Sequence, residues 1–243
     1  MSQNKNIVLI SGKPNSGKSS SLRNMDVSKM VYLNTDLKAV PFKANFAAQA
    51  EIADANDVLA YIKQIEENDN ITGAVLDTLT FLMSMYERQY VSNAKDGQKA
   101  WGSYGMFYKE VIHAIKSGTK DYVILAHEDT IYNEENLTME TKIPVKGAVG
   151  KIGVEADFTT IVSAKQVPLK KLQGHENPLL NITEEEKEDG IKYVFVTRIT
   201  KDYAGEKMRA PINFWSRNEL YIDNDVNHIY DRLKTYYSTV SAA

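Results

Sequence analysis

One loop constrains this chain more than any other feature of its sequence. Residues 12–19, Gly-Lys-Pro-Asn-Ser-Gly-Lys-Ser, match the phosphate-binding pattern Gly-x-x-x-x-Gly-Lys-Ser at every position. The apolar run from Ile7 to Ile10 precedes the loop and predicts a short buried strand. Because the loop follows a strand, an ordinary glycine-rich turn is the weaker interpretation. We therefore expect the chain to bind a nucleoside triphosphate.

The residue types in this loop suit a bound polyanion. Gly12 and Gly17 allow the backbone to curl so that successive N–H groups point at phosphate oxygens. Lys18 is expected to reach the β- and γ-phosphates, and the Ser19 hydroxyl to bind Mg²⁺. A helix predicted at 18–24 would add its positive N-terminal end. The residues assigned to the nucleotide are Gly12, Lys13, Pro14, Asn15, Ser16, Gly17, Lys18, Ser19 and Ser20.

The composition is that of an ordinary globular protein without covalent crosslinks. Of the 243 residues, 43% are hydrophobic and 25% are charged, and none is cysteine, which excludes disulfides and thiolate metal sites. The polar amino terminus and the lack of a long apolar run predict neither a signal peptide nor a membrane span, so we expect a cytoplasmic location. With a net charge of −3, any nucleic-acid binding must come from local basic patches.

Strands alternate with helices over the first two-thirds of the chain, and this alternation predicts an α/β fold with a mostly parallel central sheet. Strands are predicted at 7–10, 30–36, 73–78, 122–127 and 158–163. Helices are predicted at 18–24, at 56–67 and from the end of the stretch 101–104 to Gly118.

The rest of the chain predicts a C-terminal antiparallel β extension. Residues 193–199 alternate in polarity and are expected to pair with the fifth strand as a hairpin, across a polar loop at about 166–190. Within that loop, the acidic run 184–189 is expected to be solvated. An amphipathic helix at 226–238 follows. We expect a single domain over 1–243, with its core at about 5–165 and the hairpin and closing helix at about 158–238.

Three polar residues stand at predicted strand ends, where ligands bind in open α/β sheets. Asp77 is placed to hold the Mg²⁺ shell, or alternatively to cap a helix. Asp36 is placed to orient or deprotonate the attacking water, or to make a turn. If the strand ending at His127 lies beside the first strand, as in ATPases with an inserted central strand, His127 points at the γ-phosphate. Otherwise, His127 is structural.

Together these segments resemble a known family. They are the loop at 12–19, Val31-Tyr-Leu-Asn-Thr-Asp36, Ala74-Val-Leu-Asp77-Thr and Val123-Ile-Leu-Ala-His127, supported by Trp101-Gly-Ser-Tyr104 and Thr200-Lys-Asp202. In this order they resemble the ATPase core of RecA-like recombinases, over about residues 5–215. Within that superfamily the chain is most similar to the small phage-type RecA-like ATPases associated with single-strand annealing and recombination.

The resemblance implies a RecA-like P-loop NTPase core and further roles for named residues. Asp36 takes the place of the catalytic carboxylate, which is glutamate in RecA, and His127 takes the place of the γ-phosphate sensor. Two mobile DNA-contacting loops correspond to about 84–103 and 128–151. Their candidate DNA contacts are Arg88, Lys95, Lys99, Trp101, Lys142, Lys146 and Lys151. For Trp101, packing within the protein is an equal alternative.

The resemblance also implies assembly. RecA-like filaments insert basic side chains into the neighbouring subunit's nucleotide site, and Lys201, Lys207 and Arg209 are the candidates here, with surface ion pairs as the alternative. The expected function is Mg²⁺-dependent ATP hydrolysis on single-stranded DNA, in recombination or strand annealing, by a homo-oligomer or filament in the cytoplasm of a phage's host. A single-strand DNA-binding protein is a further expected partner. The alternatives are a P-loop kinase of a small metabolite or nucleotide and a nucleotide-gated assembly or loading factor.

Overall fold

The strand before the phosphate loop lies inside an eight-stranded sheet. The computed structural model describes residues 4, 6–134 and 137–240. The strands are β1 (Ile7–Gly12), β2 (Met30–Asn34), β3 (Ala48–Glu51), β4 (Gly73–Asp77), β5 (Asp121–His127), β6 (Asp129–Asn133), β7 (Thr138–Lys142), β8 (Thr160–Pro168), β9 (Ile191–Val196) and β10 (Tyr221–Asp223). The α-helices are α1 (Asp57–Glu67), α2 (Leu79–Tyr86), α3 (Gly97–Ser117), α4 (Gly147–Ile152), α5 (Glu184–Asp189) and α6 (Val226–Val240).

The sheet order is β10-β9-β8-β1-β5-β4-β2-β3. All neighbours from β8 to β3 are parallel, whereas β9 and β10 are antiparallel to their neighbours. This arrangement confirms the predicted α/β class with an antiparallel extension. It also places β5 between β1 and β4, with Gly12 opposite His127, so the condition set for a γ-phosphate role of His127 is met.

Both faces of the sheet are covered, which explains why its central strands are continuous apolar runs rather than alternating ones. Leu9 and Ile10 in β1 are both fully buried, Leu9 in a cluster with residues of helices α1 to α4 and Ile10 in a cluster with residues of α6. Burying each such side chain stabilises the fold by about 1.5–3 kcal/mol. In α1, the apolar residues at helical spacing, Val58, Ile62 and Ile65, are buried.

The helix predicted at 18–24 is wrong. Residues Ser19–Leu22 make one 3-10 turn, followed by a further turn in which Met25 N–H donates to the Leu22 carbonyl. Three successive serines are weak helix formers, since their hydroxyls compete for backbone groups. The Ser21 hydroxyl does so by donating to the Lys18 carbonyl.

The two segments expected to be mobile loops have regular structure instead. Segment 84–103 contains the end of α2, a π-helical turn at Glu87–Val91 and the start of α3, which begins before the expected position. The Asp96 side chain caps α3 by accepting from the Lys99 N–H. Segment 128–151 forms the β6–β7 hairpin and most of α4, apart from residues 135 and 136, which lie outside the described part of the chain.

The C-terminal part follows the prediction more closely. Strand β9 pairs antiparallel with β8, and α6 includes the expected closing helix. The acidic run, however, forms α5 rather than a loop, because Thr183 and Glu186 make a reciprocal capping box at its start. Within the described ranges, no helix is both long and apolar enough to cross a membrane.

Candidate nucleotide-binding site

The phosphate loop joins β1 to the 3-10 turn and is wrapped around the Lys18 side chain. The Lys18 ammonium donates to the carbonyls of Gly12 and Lys13 at 2.8 and 2.9 Å. Burial lowers the pKa of Lys18 to about 8, an effect partly opposed by the negative charge of Asp77. A triphosphate in the loop would supply the negative charge that this buried cation lacks.

Two details of the loop fit a bound phosphate. The Ser16 hydroxyl is buried and has no hydrogen-bond partner among the described residues, so it is free to donate to a phosphate oxygen. A Cβ at Gly12 would lie 2.3 Å from that hydroxyl oxygen and 2.7 Å from the Ala164 carbonyl, so only glycine fits there. Gly17 has a φ of +90°, which likewise favours glycine.

The metal candidates Ser19 and Asp77 are brought into contact. The Ser19 hydroxyl donates to Asp77 Oδ2 at 2.8 Å, and the buried Tyr32 hydroxyl donates to the same oxygen at 2.7 Å. Mg²⁺ in nucleotide sites is held by one or two protein oxygens, with phosphate oxygens and waters completing its shell. The pair fits that requirement, and Mg²⁺ bound there would neutralise charge on the β- and γ-phosphates.

Asp77 is not the cap of the helix that follows β4, which was the alternative role considered for it. Thr78 is the N-cap of α2, and its hydroxyl accepts from the Phe81 N–H at 3.2 Å. The Thr35 hydroxyl in turn accepts from the Thr78 N–H at 2.8 Å and links the ends of β2 and β4. The Asp77 carboxylate therefore remains directed at Ser19 and Tyr32.

Asp36 makes the turn that was the alternative considered for it, and it also lies near the phosphate-binding residues. Its carboxylate accepts from the Lys38 N–H at 3.0 Å and pairs with the Lys38 ammonium at 3.1 Å, as a turn residue would. It also lies near enough to Lys18 and His127 to raise the pKa of each, as a weaker effect than burial. Asp36 is thus at the site, held by a turn that fixes its direction.

His127 lies beside the phosphate-binding lysine. Its Nδ1 is 3.4 Å from the Lys18 ammonium, and its ring packs edge-on against Phe81 with centroids 5.2 Å apart. The His127 N–H donates to the Thr80 hydroxyl at 2.9 Å, which ties the end of β5 to α2. Burial and the nearby Lys18 charge lower the pKa of His127, so the imidazole is neutral at physiological pH.

A buried charge array next to His127 was not anticipated from the sequence. Glu128 is 4% exposed, and its N–H donates to the Gly12 carbonyl at 3.2 Å. The Lys165 ammonium lies 3.4 Å from the Glu128 carboxylate and 2.8 Å from that of Glu206. Burial raises the pKa of Glu128, and Lys165 opposes that rise. The only sequence signal was an acidic residue directly after a strand end.

Four of the predicted basic residues line one cleft, although they were assigned to different tasks. The cleft, of about 600 Å³, lies between the β6–β7 hairpin, α4 and the segment 199–209. Its basic residues are Lys142, Lys151, Lys207 and Arg209, and its acidic residues are Glu140, Glu155 and Glu206. We call it the hairpin cleft. The Lys207 ammonium is 3.5 Å from the Glu140 carboxylate, so part of its charge is compensated.

The other basic candidates lie outside this cleft. Arg88, Lys95, Lys99 and Lys201 are exposed on the surface, and Lys146 pairs with Glu87 at 2.8 Å. Trp101 is 38% exposed and packs edge-on against Tyr104, with ring centroids 5.3 Å apart. The structure therefore brings two DNA-binding candidates, Lys142 and Lys151, together with Lys207 and Arg209, which were assigned to a neighbouring subunit. The DNA-binding candidates of segment 84–103 lie outside the cleft.

Comparison with known proteins gives one family match. A family model described as an AAA domain matches residues 4–202, which include the phosphate loop, Asp77 and His127. The match ends before Lys207, Arg209 and α6. No curated protein matches the chain.

Proposed function

Because the chain belongs to the AAA-domain family of P-loop ATPases, we propose that it hydrolyses ATP with Mg²⁺ and couples hydrolysis to single-stranded DNA in recombination or strand annealing. Lys18 and the loop backbone hold the phosphates, while Ser19 and Asp77 hold the metal. Asp36 orients or deprotonates the attacking water. His127 reports the presence of the third phosphate.

The observation that carries this proposal is the charge array of Glu128, Lys165 and Glu206, which lies between the phosphate loop and the hairpin cleft. Glu128 contacts the phosphate loop through the Gly12 carbonyl and follows His127 directly in the chain. Lys165 joins Glu128 to Glu206, and Glu206 lines the hairpin cleft. A change at the γ-phosphate can therefore alter the cleft through adjacent charges, of which Glu128 is buried and Lys165 and Glu206 are half-buried. Such charges are screened less by solvent than exposed ones.

The hairpin cleft has features that suit a single strand. Non-specific binding of single-stranded DNA requires basic side chains along the backbone path and aromatic faces for the bases. The cleft supplies four basic residues against three acidic ones, and Tyr132 on the neighbouring hairpin is 56% exposed. The small excess of positive charge supports weak, salt-sensitive binding by one subunit, which favours action as a homo-oligomer.

In such an assembly, Lys207 and Arg209 have a second target. Both are exposed, and they lie in the segment that the RecA-like resemblance assigns to a neighbouring subunit's nucleotide. The proposed oligomer or filament would use either residue to contact the phosphates of the adjacent copy. A single-strand DNA-binding protein remains the further partner that we propose for the substrate strand.

A specific observation favours a second candidate, a nucleotide-gated loading factor that binds proteins. The β6–β7 hairpin exposes four large apolar or aromatic side chains, namely Ile131, Tyr132, Leu137 and Met139. Tyr132 and Met139 are cross-strand partners and so share one face of the hairpin. Exposed apolar patches are typical of protein interaction sites. In that case, the cleft would receive a protein segment and DNA would have no effect on turnover.

The test is ATP turnover measured alone, with single-stranded DNA and with duplex DNA, using Lys18→Ala as the inactive control. The proposal predicts hydrolysis that single strands stimulate more than duplex does. A rate of ATP hydrolysis that neither single-stranded nor duplex DNA changes contradicts the DNA-coupled function and favours the loading factor. Transfer of phosphate to a small acceptor would identify a kinase instead.

A further inference from the structure

A second cavity adjoins the phosphate loop, and its lining does not include Asp77 or His127. It has a volume of about 480 Å³. Gly17, Ser20 and Arg23 line it from the loop side, and Tyr193 and Asn224 line it from the C-terminal part of the chain. A nucleotide whose phosphates occupy the loop must place its nucleoside outside the loop, and this cavity is directly beside it.

The Asn224 side chain in this cavity lacks the partners that a buried amide requires. Asn224 is 2% exposed, and neither its Oδ1 nor its Nδ2 has a hydrogen-bond partner among the described residues. Buried polar atoms without partners are rare because their desolvation is uncompensated. The amide also lies against the loop, since a Cβ at Gly17 would be 3.2 Å from Asn224 Nδ2. A ligand offering a donor beside an acceptor would satisfy both atoms.

Tyr193 supplies an aromatic face at the same place. It lies in β9 opposite Gln166 of β8, at the carboxyl end of the parallel strands. Its side chain is 42% exposed, and a Cβ at Gly17 would lie 3.0 Å from Tyr193 Cδ1. A partly exposed ring that contacts the phosphate loop is suited to stacking against a planar base.

The C-terminal part of the site is fixed to the loop by hydrogen bonds. One Arg23 guanidinium nitrogen donates to the Ser20 carbonyl at 3.0 Å and to the Asn224 carbonyl at 2.7 Å. The Asn24 amide donates to the Asp225 carboxylate at 2.7 Å. These bonds hold Asn224 in position before a ligand arrives. Asn224 lies beyond residue 202, where the family match ends, so the family model does not account for it.

We infer that this cavity is an adenine-recognition site, in which the base stacks on Tyr193 and its edge pairs with the Asn224 amide. This inference rests on the proposed ATP-binding function and adds to it the residues that recognise the base. Adenine presents the N6 amino donor beside an acceptor nitrogen, which complements the Asn224 oxygen and amino group. On the edge that carries N7, guanine presents two acceptors, O6 and N7, so the Asn224 amide can make only one of the two hydrogen bonds in either orientation.

The test compares the dissociation constants of ATP, GTP and inorganic tripolyphosphate for the full chain. The variants are Asn224→Leu, which keeps the volume but not the polar atoms, and Asn93→Leu as a control in an exposed turn. Wild type should bind ATP roughly 5- to 100-fold more tightly than GTP. Asn224→Leu should lose that preference and leave tripolyphosphate affinity unchanged, whereas Asn93→Leu should change neither.

A second pair of variants applies if Asn224→Leu does not fold. Tyr193→Ala should weaken both ATP and GTP by roughly 5- to 100-fold, while Tyr193→Phe keeps the ring and the affinity. Equal ATP affinity in the two variants would overturn the inference, and so would a wild type with no preference for ATP over GTP. If wild type binds tripolyphosphate but prefers no base, the phosphate site stands and only this inference fails. If wild type binds no triphosphate, the proposed phosphate site fails, and this inference fails with it.

Discussion

The hydroxyl of Ser19 lies 2.8 Å from Oδ2 of Asp77, although 58 residues separate them in the chain. They meet because β1 and β4 are parallel strands on either side of β5, so the loop after β1 and the last residue of β4 share one edge of the sheet. Tyr32, on the next strand, holds the same carboxylate oxygen from the buried side. The strand order therefore brings together the two residues that we propose to hold Mg²⁺.

We predict that Asp77→Asn reduces ATP hydrolysis by at least about 100-fold, because the amide has lost the charge that holds the metal. Asparagine keeps an oxygen that can accept from Ser19 and Tyr32, so the melting temperature should change little. Asp77→Ala should lose hydrolysis as well, but should also cost about 1–3 kcal/mol of unfolding free energy, because the buried Tyr32 hydroxyl loses its acceptor.

Phosphate-release assays and thermal melts of both variants check this prediction. Asp69→Asn is the matched control, since Asp69 is an exposed carboxylate in the turn after α1. Substantial turnover in Asp77→Asn would remove Asp77 from the metal site. Lys18→Ala should be equally inactive, because the loop loses the cation proposed to contact the phosphates.

The pKa of Lys18 gives a prediction about protons. In the nucleotide-free protein that pKa is about 8, below its ordinary value of 10.5. A bound triphosphate favours the charged form and raises the pKa, so ATP binding above pH 8 must take up a proton. The ATP association constant should therefore fall as pH rises through 8 and be nearly flat from pH 7 to 7.5.

Calorimetric titrations at pH 7 and 8.5, in buffers of different ionisation enthalpy, count these protons. Uptake should be about 0.1 proton at pH 7 and about 0.75 proton at pH 8.5. Lys18→Arg remains charged throughout this range and should show no uptake at either pH. Equal uptake by wild type at both values would contradict the assignment of the titrating group.

For the hairpin cleft, we predict that neutralising Lys142 and Lys151 weakens binding of single strands of any sequence. The slope of log affinity against log salt should become shallower by roughly 1.4, at about 0.7 per lost phosphate contact. Lys146→Ala should have a smaller effect, because Lys146 already pairs with Glu87. Fluorescence anisotropy with labelled oligonucleotides at several salt concentrations measures the slope for wild type and for each variant. An unchanged slope in the double variant would exclude the hairpin cleft as the DNA-binding site.

The buried array predicts a loss of coupling without a loss of binding. Glu128→Gln removes the negative charge of Glu128 and leaves the Lys165 ammonium paired with Glu206 alone. Stimulation of ATP turnover by single-stranded DNA should therefore fall several-fold. The dissociation constant for ATP should stay within about threefold, because the loop supplies most of the phosphate contacts. Glu134→Gln, on the exposed tip of the neighbouring hairpin, is the control. Normal stimulation in Glu128→Gln would mean that the array only stabilises the fold.

What the sequence could predict depended on local information. The strand before Gly12 and the strand ending at Asp77 were predictable because each is an unbroken apolar run ending in a diagnostic residue. The 3-10 turn was missed because the spacing of apolar residues carries no information on how the hydroxyls of three successive serines bind nearby backbone groups. Glu128 was read as part of a polar loop, since its burial depends on Lys165, which lies on a distant strand.

The candidate site shows the same division. Asp36 and His127 could be placed at the edge of the sheet, because the ends of parallel strands meet there. The grouping of Lys142 with Arg209 could not be predicted, because it depends on how the β6–β7 hairpin packs against the segment after β9. Asn224 gave no signal at all, since a single asparagine near a helix start is ordinarily a cap.

The most direct test of coupling between the bound nucleotide and single-stranded DNA is the ratio of two DNA affinities. Affinity for a labelled single strand is measured with a non-hydrolysable ATP analogue and with ADP, in wild type and in His127→Ala. Wild type should bind DNA more tightly with the analogue, and the ratio should fall to about one in His127→Ala while ATP affinity is preserved, because coupling is reciprocal. A wild-type ratio of one, or an unchanged ratio in the variant, would contradict the coupling through His127.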